Sequence, residues 1–293
     1  MLIDELANRA KALNLYRICV YQNGQYDTQE LRESNRVCNV YSVSKSVTSL
    51  VVGSVASQLQ LSLEQNVRTL LGEEWDPAWP DVWSRITLGD VMSHTTGFGA
   101  EELDIDHPDF MLPPDRNFLN KVMRQPIVYQ PGTKMVYTDA NYYLVSRILS
   151  AQTGMRLQDL AREELFTPMG MYGIGWATCP FGYAMGATGL FLSVQDMAKI
   201  GILILQHGQW EGRQLVSSQW LDLATAPHAS PEDSDAKYGY GFWSRRSSNA
   251  IIANGMLGQV IYIFPSSGRV VAWQACTEAP AMGLLTQYLQ DNG

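Results

Sequence analysis

The chain predicts an α+β fold: an antiparallel sheet built from both chain termini and flanked by helices, with a large helical region inserted between its two halves. Strand-like alternation at the two ends, helical periodicity through the middle, and tight turns at Asn23-Gly24 and Pro265-Ser266-Ser267-Gly268 are the observations behind it.

Residues 3–13 read as an amphipathic helix. Residues 15–22 alternate as a strand and run into Asn23-Gly24, a pair that tolerates the positive φ of a two-residue hairpin turn. A short strand-like lead-in at 37–41 precedes Ser42, and Val43, Val47, Leu50, Val51 and Val55 then fall at helical spacing. From 42 to about 230 helical periodicity dominates, broken by loops that carry Pro and Gly. Residues 238–243, 250–254, 259–264 and 269–275 read as strands, and a last helix covers about 282–289. The expected division is a sheet subdomain of residues 1–41 and 234–293 and a mainly helical subdomain of 42–233. A small-molecule site is expected at their junction, where clefts form.

With 293 residues, 46% of them hydrophobic, the chain can bury a substantial core without a disulfide or metal staple. A formal net charge of -8 and a pI near 5.0 argue against nucleic acid or an anionic membrane as partner, because both require a basic surface. Met1-Leu2-Ile3-Asp4-Glu5 lacks the basic start of a signal peptide and no segment has the apolar length of a membrane span, so the expected location is cytoplasmic, or periplasmic if a leader has been removed. Cys19, Cys38, Cys179 and Cys276 show no C-x-x-C spacing and read as buried thiols. Cys19 and Cys38 lie in apolar alternating stretches that read as neighbouring strands, which leaves a disulfide between them open in an exported protein. The acidic stretch Glu101, Glu102, Asp104, Asp106, Asp109 with His107 lacks the central Gly of a calcium loop and reads as solvated surface. No cofactor and no metal are expected.

The chemistry centres on Ser42-Val43-Ser44-Lys45. On a helix, residues three apart lie on one side of a turn, so a hydroxyl and an amine meet at the head of an apolar helix. A serine hydroxyl is a weak nucleophile until a nearby base takes its proton, and a helix N-terminus adds partial positive charge. The same spacing recurs at Ser234-Asp235-Ala236-Lys237, in a polar stretch that reads as a solvated loop with nothing to hold the pair rigid. A third proton-handling group is required, and Pro131-Gly132 makes a turn that sets Tyr137 before an apolar helix.

With these segments together the chain resembles the serine hydrolases that include class C β-lactamases, D-alanyl-D-alanine carboxypeptidases and related esterases and amide hydrolases. Their pattern is S-x-x-K, then Y-x-N on a loop, then K-T-G or a variant on a late strand. The resemblance covers nearly the whole chain. Residues 87–97 (TLGDVMSHTTG) are similar to the family's L-L-T-H-T-S-G segment, 189–199 (GLFLSVQDMAK) to its G-L-x-x-T-x-x-D-M-A-K helix start, 238–243 (YGYGFW) to its aromatic strand entry, and 255–259 (GMLGQ) to its G-x-x-G-Q element.

The resemblance implies a β-lactamase/transpeptidase-like fold with Ser42 as nucleophile, Lys45 as proton acceptor and Tyr137 as base or relay. It implies an oxyanion hole from the backbone N–H groups of Ser42 and Met256, and Asp139, Trp243, Asn254 and Gly255 around the substrate. A Tyr of pKa about 10 half ionised at neutral pH has dropped about three units, roughly 4 kcal/mol, much of which a nearby ammonium supplies. His94 falls in the structural TLGDVMSHTTG segment, which argues against a triad role. Two departures bear on substrate. Asp139 stands where the family has Asn; an ionised carboxylate only accepts hydrogen bonds, so it favours a charged Lys45 and moves the base role toward Tyr137. Ala253-Asn254-Gly255 stands where K-T-G is expected, so the cation that helps hold a substrate carboxylate is missing unless Arg245 or Arg246 replaces it from the adjoining strand.

The expected function is therefore hydrolysis of an amide or ester of a small or peptide-like acyl substrate through a Ser42 acyl-enzyme, of the β-lactamase or D-alanine carboxypeptidase type. The alternatives are a carboxylesterase or small-amide hydrolase without β-lactamase activity, favoured by the missing cation, and a non-catalytic ligand sensor on the same fold.

Overall fold

Both ends of the chain build one sheet, as the alternation at the two termini requires. The computed structural model describes residues 2–10, 13–245, 248–277 and 288–289. Helix α1 (Leu2–Ala10) is followed by the hairpin β1 (Leu15–Gln22) and β2 (Gln25–Glu30), whose turn residues Asn23 and Gly24 take φ of 52° and 78°. Strand β3 (Val37–Asn39) leads into α2 (Val43–Leu59), after which come α3 (Val67–Leu71), α4 (Leu88–Met92), α5 (Phe118–Met123), α6 (Asp139–Thr153) and α7 (Leu157–Ala161). Then follow β4 (Gly175–Trp176), β5 (Leu190–Ser193), α8 (Val194–Leu205), the small hairpin β6 (Gln209–Trp210) and β7 (Arg213–Gln214), and α9 (Ser218–Thr225). The chain returns to the sheet through β8 (Ala236–Tyr238), β9 (Trp243–Arg245), β10 (Ser248–Gly255), β11 (Gln259–Phe264) and β12 (Arg269–Ala275).

The seven strands run in the order β2-β1-β12-β11-β10-β9-β8, every pair antiparallel. Ile18, Trp273, Val260 and Asn254 stand side by side across four of them. Because side chains alternate between faces, Ile18, Ile252, Val260, Tyr262 and Trp273 form a core with α1, while Cys19, Ala253, Ile261, Ile263 and Ala272 join the larger core of the helical region. Helix α2 is buried almost all round from Val43 to Val52, which is how an evenly apolar helix behaves. Its small hydroxyls find partners: Ser46 donates to the Gly241 carbonyl at 2.5 Å, Thr48 donates to that of Gly186 at 2.7 Å, and Ser44 accepts from the Leu190 N–H at 3.3 Å. Each ties α2 to a segment beside the site.

Several expectations change. The first helix is described over Leu2–Ala10, and Leu13, the expected last residue, is in a turn. The strand expected at 238–243 is two short strands, β8 ending at Tyr238 and β9 starting at Trp243, joined by a turn in which Gly239 N–H donates to the Phe242 carbonyl. The cause is close packing: a Cβ on Gly239 would lie 2.1 Å from the Ala224 carbonyl oxygen, and one on Gly241 (φ 94°) 2.8 Å from that of Lys45. Strand β3 pairs with β5 in a separate three-stranded sheet, β3-β5-β4, so Cys38 and Cys19 are on different sheets and both are free thiols. Cys19 and Cys179 are buried, Cys38 is half-buried and Cys276 exposed, so burial is not the common feature of the four. The closing helix lies outside the described residues except for Tyr288 and Leu289, which are helical. No helix among the described residues is long and apolar enough to cross a membrane.

Candidate active site

A strained turn delivers Ser42 to the head of α2. Tyr41 has φ 47° and its N–H is held by the Asn39 side chain, while Val43, Ser44 and Lys45 donate to the carbonyls of Val40, Tyr41 and Ser42. That tight first turn uses the N–H groups after Ser42, and the Ser42 N–H itself has no partner among the described residues. Strand β10 ends against the same turn: a Cβ on Gly255 would sit 2.2 Å from the Val40 carbonyl oxygen and 3.1 Å from the Ser42 nitrogen. The Met256 N–H that follows is likewise unpartnered among the described residues. Two free N–H groups thus stand at the meeting point of β10 and α2, the arrangement an oxyanion requires.

Lys45 is 1% exposed, and its Nζ reaches Asp139 Oδ1 at 2.6 Å, Ser42 Oγ at 3.0 Å and the Ala187 carbonyl at 3.1 Å. An ammonium has three N–H bonds, and three acceptors take them all. Burial would pull the Lys45 pKa down, but the Asp139 carboxylate, together with Tyr137 beside it, more than offsets that and holds the group above its ordinary value. Asp139 is placed by α6: Thr138 caps that helix, accepting from Ala140 N–H, and Asp139 is its first residue, where the helix dipole favours an anion. Lys45 also lies 4.7 Å from the centre of the Tyr137 ring. Tyr137 itself is half-buried, stacked at 5.7 Å and 30° on Trp243 of β9.

These groups open on a cleft of about 540 Å³ lined by Ser42, Tyr137, Trp243, Arg245, Asn254, Gly255 and Met256, with Gln259, Tyr262 and Trp273 of the sheet behind them. All the residues anticipated around the substrate are on its wall except Asp139, which is buried beneath it against Lys45. Ala253 is not on the wall: it is 1% exposed and belongs to the core under β10, so a lysine there would be buried. Arg245 is on the wall, exposed, its side chain with no ion-pair or hydrogen-bond partner among the described residues; Arg246 lies outside the described residues.

Two features, the inward turn of the acidic stretch and the carbonyl on Lys45, were not legible in sequence. The acidic stretch is not wholly solvated: Leu103 is buried, Glu102 exchanges hydrogen bonds with the Thr138 hydroxyl, and Ala140 N–H donates to the Glu102 carbonyl, so the loop is stitched to the start of α6. This turns Asp104 and Asp106 toward Asp139, with one carboxylate oxygen from each within 4.8 Å of the others. Lys45 is the cation beside that group. Burial pushes the Asp106 carboxyl up, a hydrogen bond from Thr188 opposes it, and the neighbouring carboxylates push further. The Ala187 carbonyl that holds Lys45 carries no side-chain signal at all. His94 is buried with both ring nitrogens turned to Thr138, Asn141 and Tyr238, and burial with the Lys45 charge keeps it well below the ordinary histidine pKa, so neither nitrogen serves Ser42. The second Ser-x-x-Lys is no pair: Lys237 donates to Ser230 at 2.8 Å, and Ser234 Oγ accepts from Ala236 N–H.

Comparison with known proteins agrees with this architecture. A family profile described as Beta-lactamase matches residues 17–284. Penicillin-binding protein 4 of Amycolatopsis lactamdurans is 28% identical over 132 residues, 45% of this chain and 34% of that protein. An Escherichia coli K12 protein provisionally named D-alanyl-D-alanine carboxypeptidase is 29% identical over 92 residues, 29% of this chain and 20% of that protein. The matched stretches therefore span about a third or less of these curated relatives. Among solved structures, a Bacillus anthracis protein provisionally named 6-aminohexanoate-dimer hydrolase superposes with TM-score 0.81 at 19% identity, covering 97% of this chain and 80% of that one. A penicillin-binding protein from Bacillus halodurans superposes with TM-score 0.74 at 17% identity, covering 97% and 98%. At these identities the structural likeness establishes the fold.

Proposed function

The chain belongs to the beta-lactamase family, and from that premise we propose that it hydrolyses an amide or ester through an acyl-enzyme on Ser42. Ser42 Oγ attacks the substrate carbonyl carbon and gives its proton to the Tyr137 oxygen, which acts as the phenolate. The resulting oxyanion sits between the N–H groups of Ser42 and Met256. As the carbonyl re-forms, the bond to the leaving amine or alcohol breaks and Tyr137 returns the proton to that leaving group. Water then attacks the acyl-enzyme, again passing its proton through Tyr137, and frees the acid and Ser42.

The observation that carries this reading is the full use of Lys45. With three acceptors on three N–H bonds, the ammonium nitrogen has no lone pair for the serine proton, and the base falls to Tyr137, which lines the cleft with Ser42 and lies against Lys45. Lys45 contributes its charge and fixes the serine rotamer. A covalent route with a relay, rather than passive ligand sensing, is supported by the presence of nucleophile, base, cation and both oxyanion donors together.

The Arg245 side chain, unpaired among the described residues, favours substrates with an anionic group over the neutral-ester alternative. Asn254 and Trp243 supply polar and aromatic contacts on the same wall. A peptide-like acyl substrate bearing a carboxylate is the class proposed.

The test is intact-mass analysis with a serine-reactive phosphonate. Ser42 should be labelled and Ser42→Ala should not be. Lys45→Ala and Tyr137→Phe should each slow labelling by at least about a hundredfold, the low end for a positioned acid or base. Their effects should be far from additive, because members of one relay fail together. Labelling at Ser234, or a double variant slowed by the full product of the two single effects, would refute the mechanism.

A further inference from the structure

We propose that His94 is the residue that positions Tyr137, an inference that rests on Tyr137 being the base. His94 follows the C-cap of α4 with φ 62°, the left-handed place at a helix end that Gly or Asn normally takes. A bulky residue held there carries backbone strain, which persists only where surrounding contacts compensate. Several of those contacts hold Tyr137 and the backbone on either side of it.

The His94 carbonyl accepts the Val136 N–H at 2.9 Å, and its ring Nδ1 accepts the Thr138 N–H at 3.3 Å. In extended chain the N–H groups of residues i and i+2 point the same way, so one histidine grips the backbone on both sides of Tyr137 as a short strand would. Its ring also lies against the Tyr137 ring at 4.3 Å.

The hydrogen bonds set the tautomer. Nδ1 takes a second donor, Asn141 Nδ2 at 3.2 Å, with the amide oriented by Thr96 Oγ1 donating to Asn141 Oδ1 at 2.6 Å. An Nδ1 that accepts from two N–H groups carries no proton, so the proton is on Nε2 and is donated to Tyr238 Oη at 3.3 Å. Tyr238 then donates to Tyr142 Oη at 3.4 Å, and Tyr142 to the Met92 carbonyl at 3.1 Å. The chain of donors runs one way from the ring to the backbone of α4. Tyr238 stands edge-on to the Tyr137 ring at 5.8 Å, so it supports the same side chain. His94 touches no substrate; it holds the residue that does.

The experiment uses three variants of the full chain. His94→Gly suits the left-handed backbone and removes every side-chain contact. His94→Asn tolerates the same backbone and offers Oδ1 where Nδ1 accepted from Thr138. Tyr137→Phe provides the reference. His94→Gly should fold, label Ser42 about tenfold to a hundredfold more slowly, and lower kcat with KM little changed, the size expected when a reacting group is misplaced by about 1 Å. His94→Asn should recover part of the rate, and His94→Gly should add nothing on top of Tyr137→Phe. Wild-type kcat in His94→Gly, or equal and fully additive losses in all backgrounds, would overturn the positioning role while leaving the Ser42 mechanism standing. Full activity in Tyr137→Phe would overturn the base assignment and this inference with it.

Discussion

Asp139→Asn is the most informative perturbation, because it restores the residue usual in the family while removing one charge from a buried pair. Lys45 and Asp139 are 2.6 Å apart with side chains 1% and 6% exposed. At an effective dielectric of about 20 their attraction is about 6 kcal/mol. Asn keeps an oxygen that accepts from the ammonium, a charge-assisted hydrogen bond of roughly 1.5–3 kcal/mol. The difference is about 3–5 kcal/mol, the usual penalty for breaking a buried pair. With an unfolding entropy of about 2.1 cal/mol/K per residue over this chain, the melting temperature should fall by roughly 5–8 °C.

The pH dependence has a definite sign. In the wild type the folded Lys45 pKa is raised, so the stabilisation from its charge is complete below the ordinary lysine value and is lost only as pH rises through the higher folded one. In Asp139→Asn the largest influence opposing burial is gone and the folded pKa drops, so stability climbs as pH approaches the ordinary lysine range. The gap between the two melting curves should be widest near neutrality and close above about pH 10. A neutral Lys45 would also regain a lone pair toward Ser42, so Tyr137→Phe should slow phosphonate labelling less in the Asn background than in the wild type. Calorimetric melts from pH 6 to about pH 10.5 and labelling rates in the two backgrounds decide the matter. Equal melting temperatures together with an unchanged Tyr137→Phe penalty would refute the assignment of Lys45 as a fixed ammonium.

Two more outcomes follow from the cleft wall. Wild type should prefer a free carboxylate over its methyl ester by about ten- to two-hundredfold in kcat/KM, the worth of one charge-assisted hydrogen bond, and Arg245→Ala should abolish that preference with the ester rate unchanged; a preference that survives Arg245→Ala rules this side chain out. Gly255→Ala should slow acylation by about a hundredfold or more, since the added methyl must push β10 from the Val40–Ser42 turn and separate the two oxyanion donors; a variant with native kinetics would place the oxyanion elsewhere.

Much of this protein is local in origin and therefore legible in its sequence. Asn23-Gly24 makes the hairpin because few other pairs accept two positive φ angles, and the evenly apolar run after Ser42 has to be a buried helix, which sets Ser42 and Lys45 on one side of a turn. Alternation at both ends requires a sheet built from the termini. Tertiary packing decided what depends on residues far apart in the chain. Gly239 and Gly241 split an apparent strand because backbone from α9 and α2 presses on them. The acidic stretch reads as solvated, yet Thr138 and Thr188 draw Asp104 and Asp106 inward. Ala253 and Arg245 change places in importance, since the pleat turns residue 253 into the core and β9 brings Arg245 to the cleft. The charge of Lys45 belongs to this second class too: composition can supply an amine and a carboxylate, but only the fold brings 94 residues of separation down to a 2.6 Å contact and adds a main-chain carbonyl as the third acceptor.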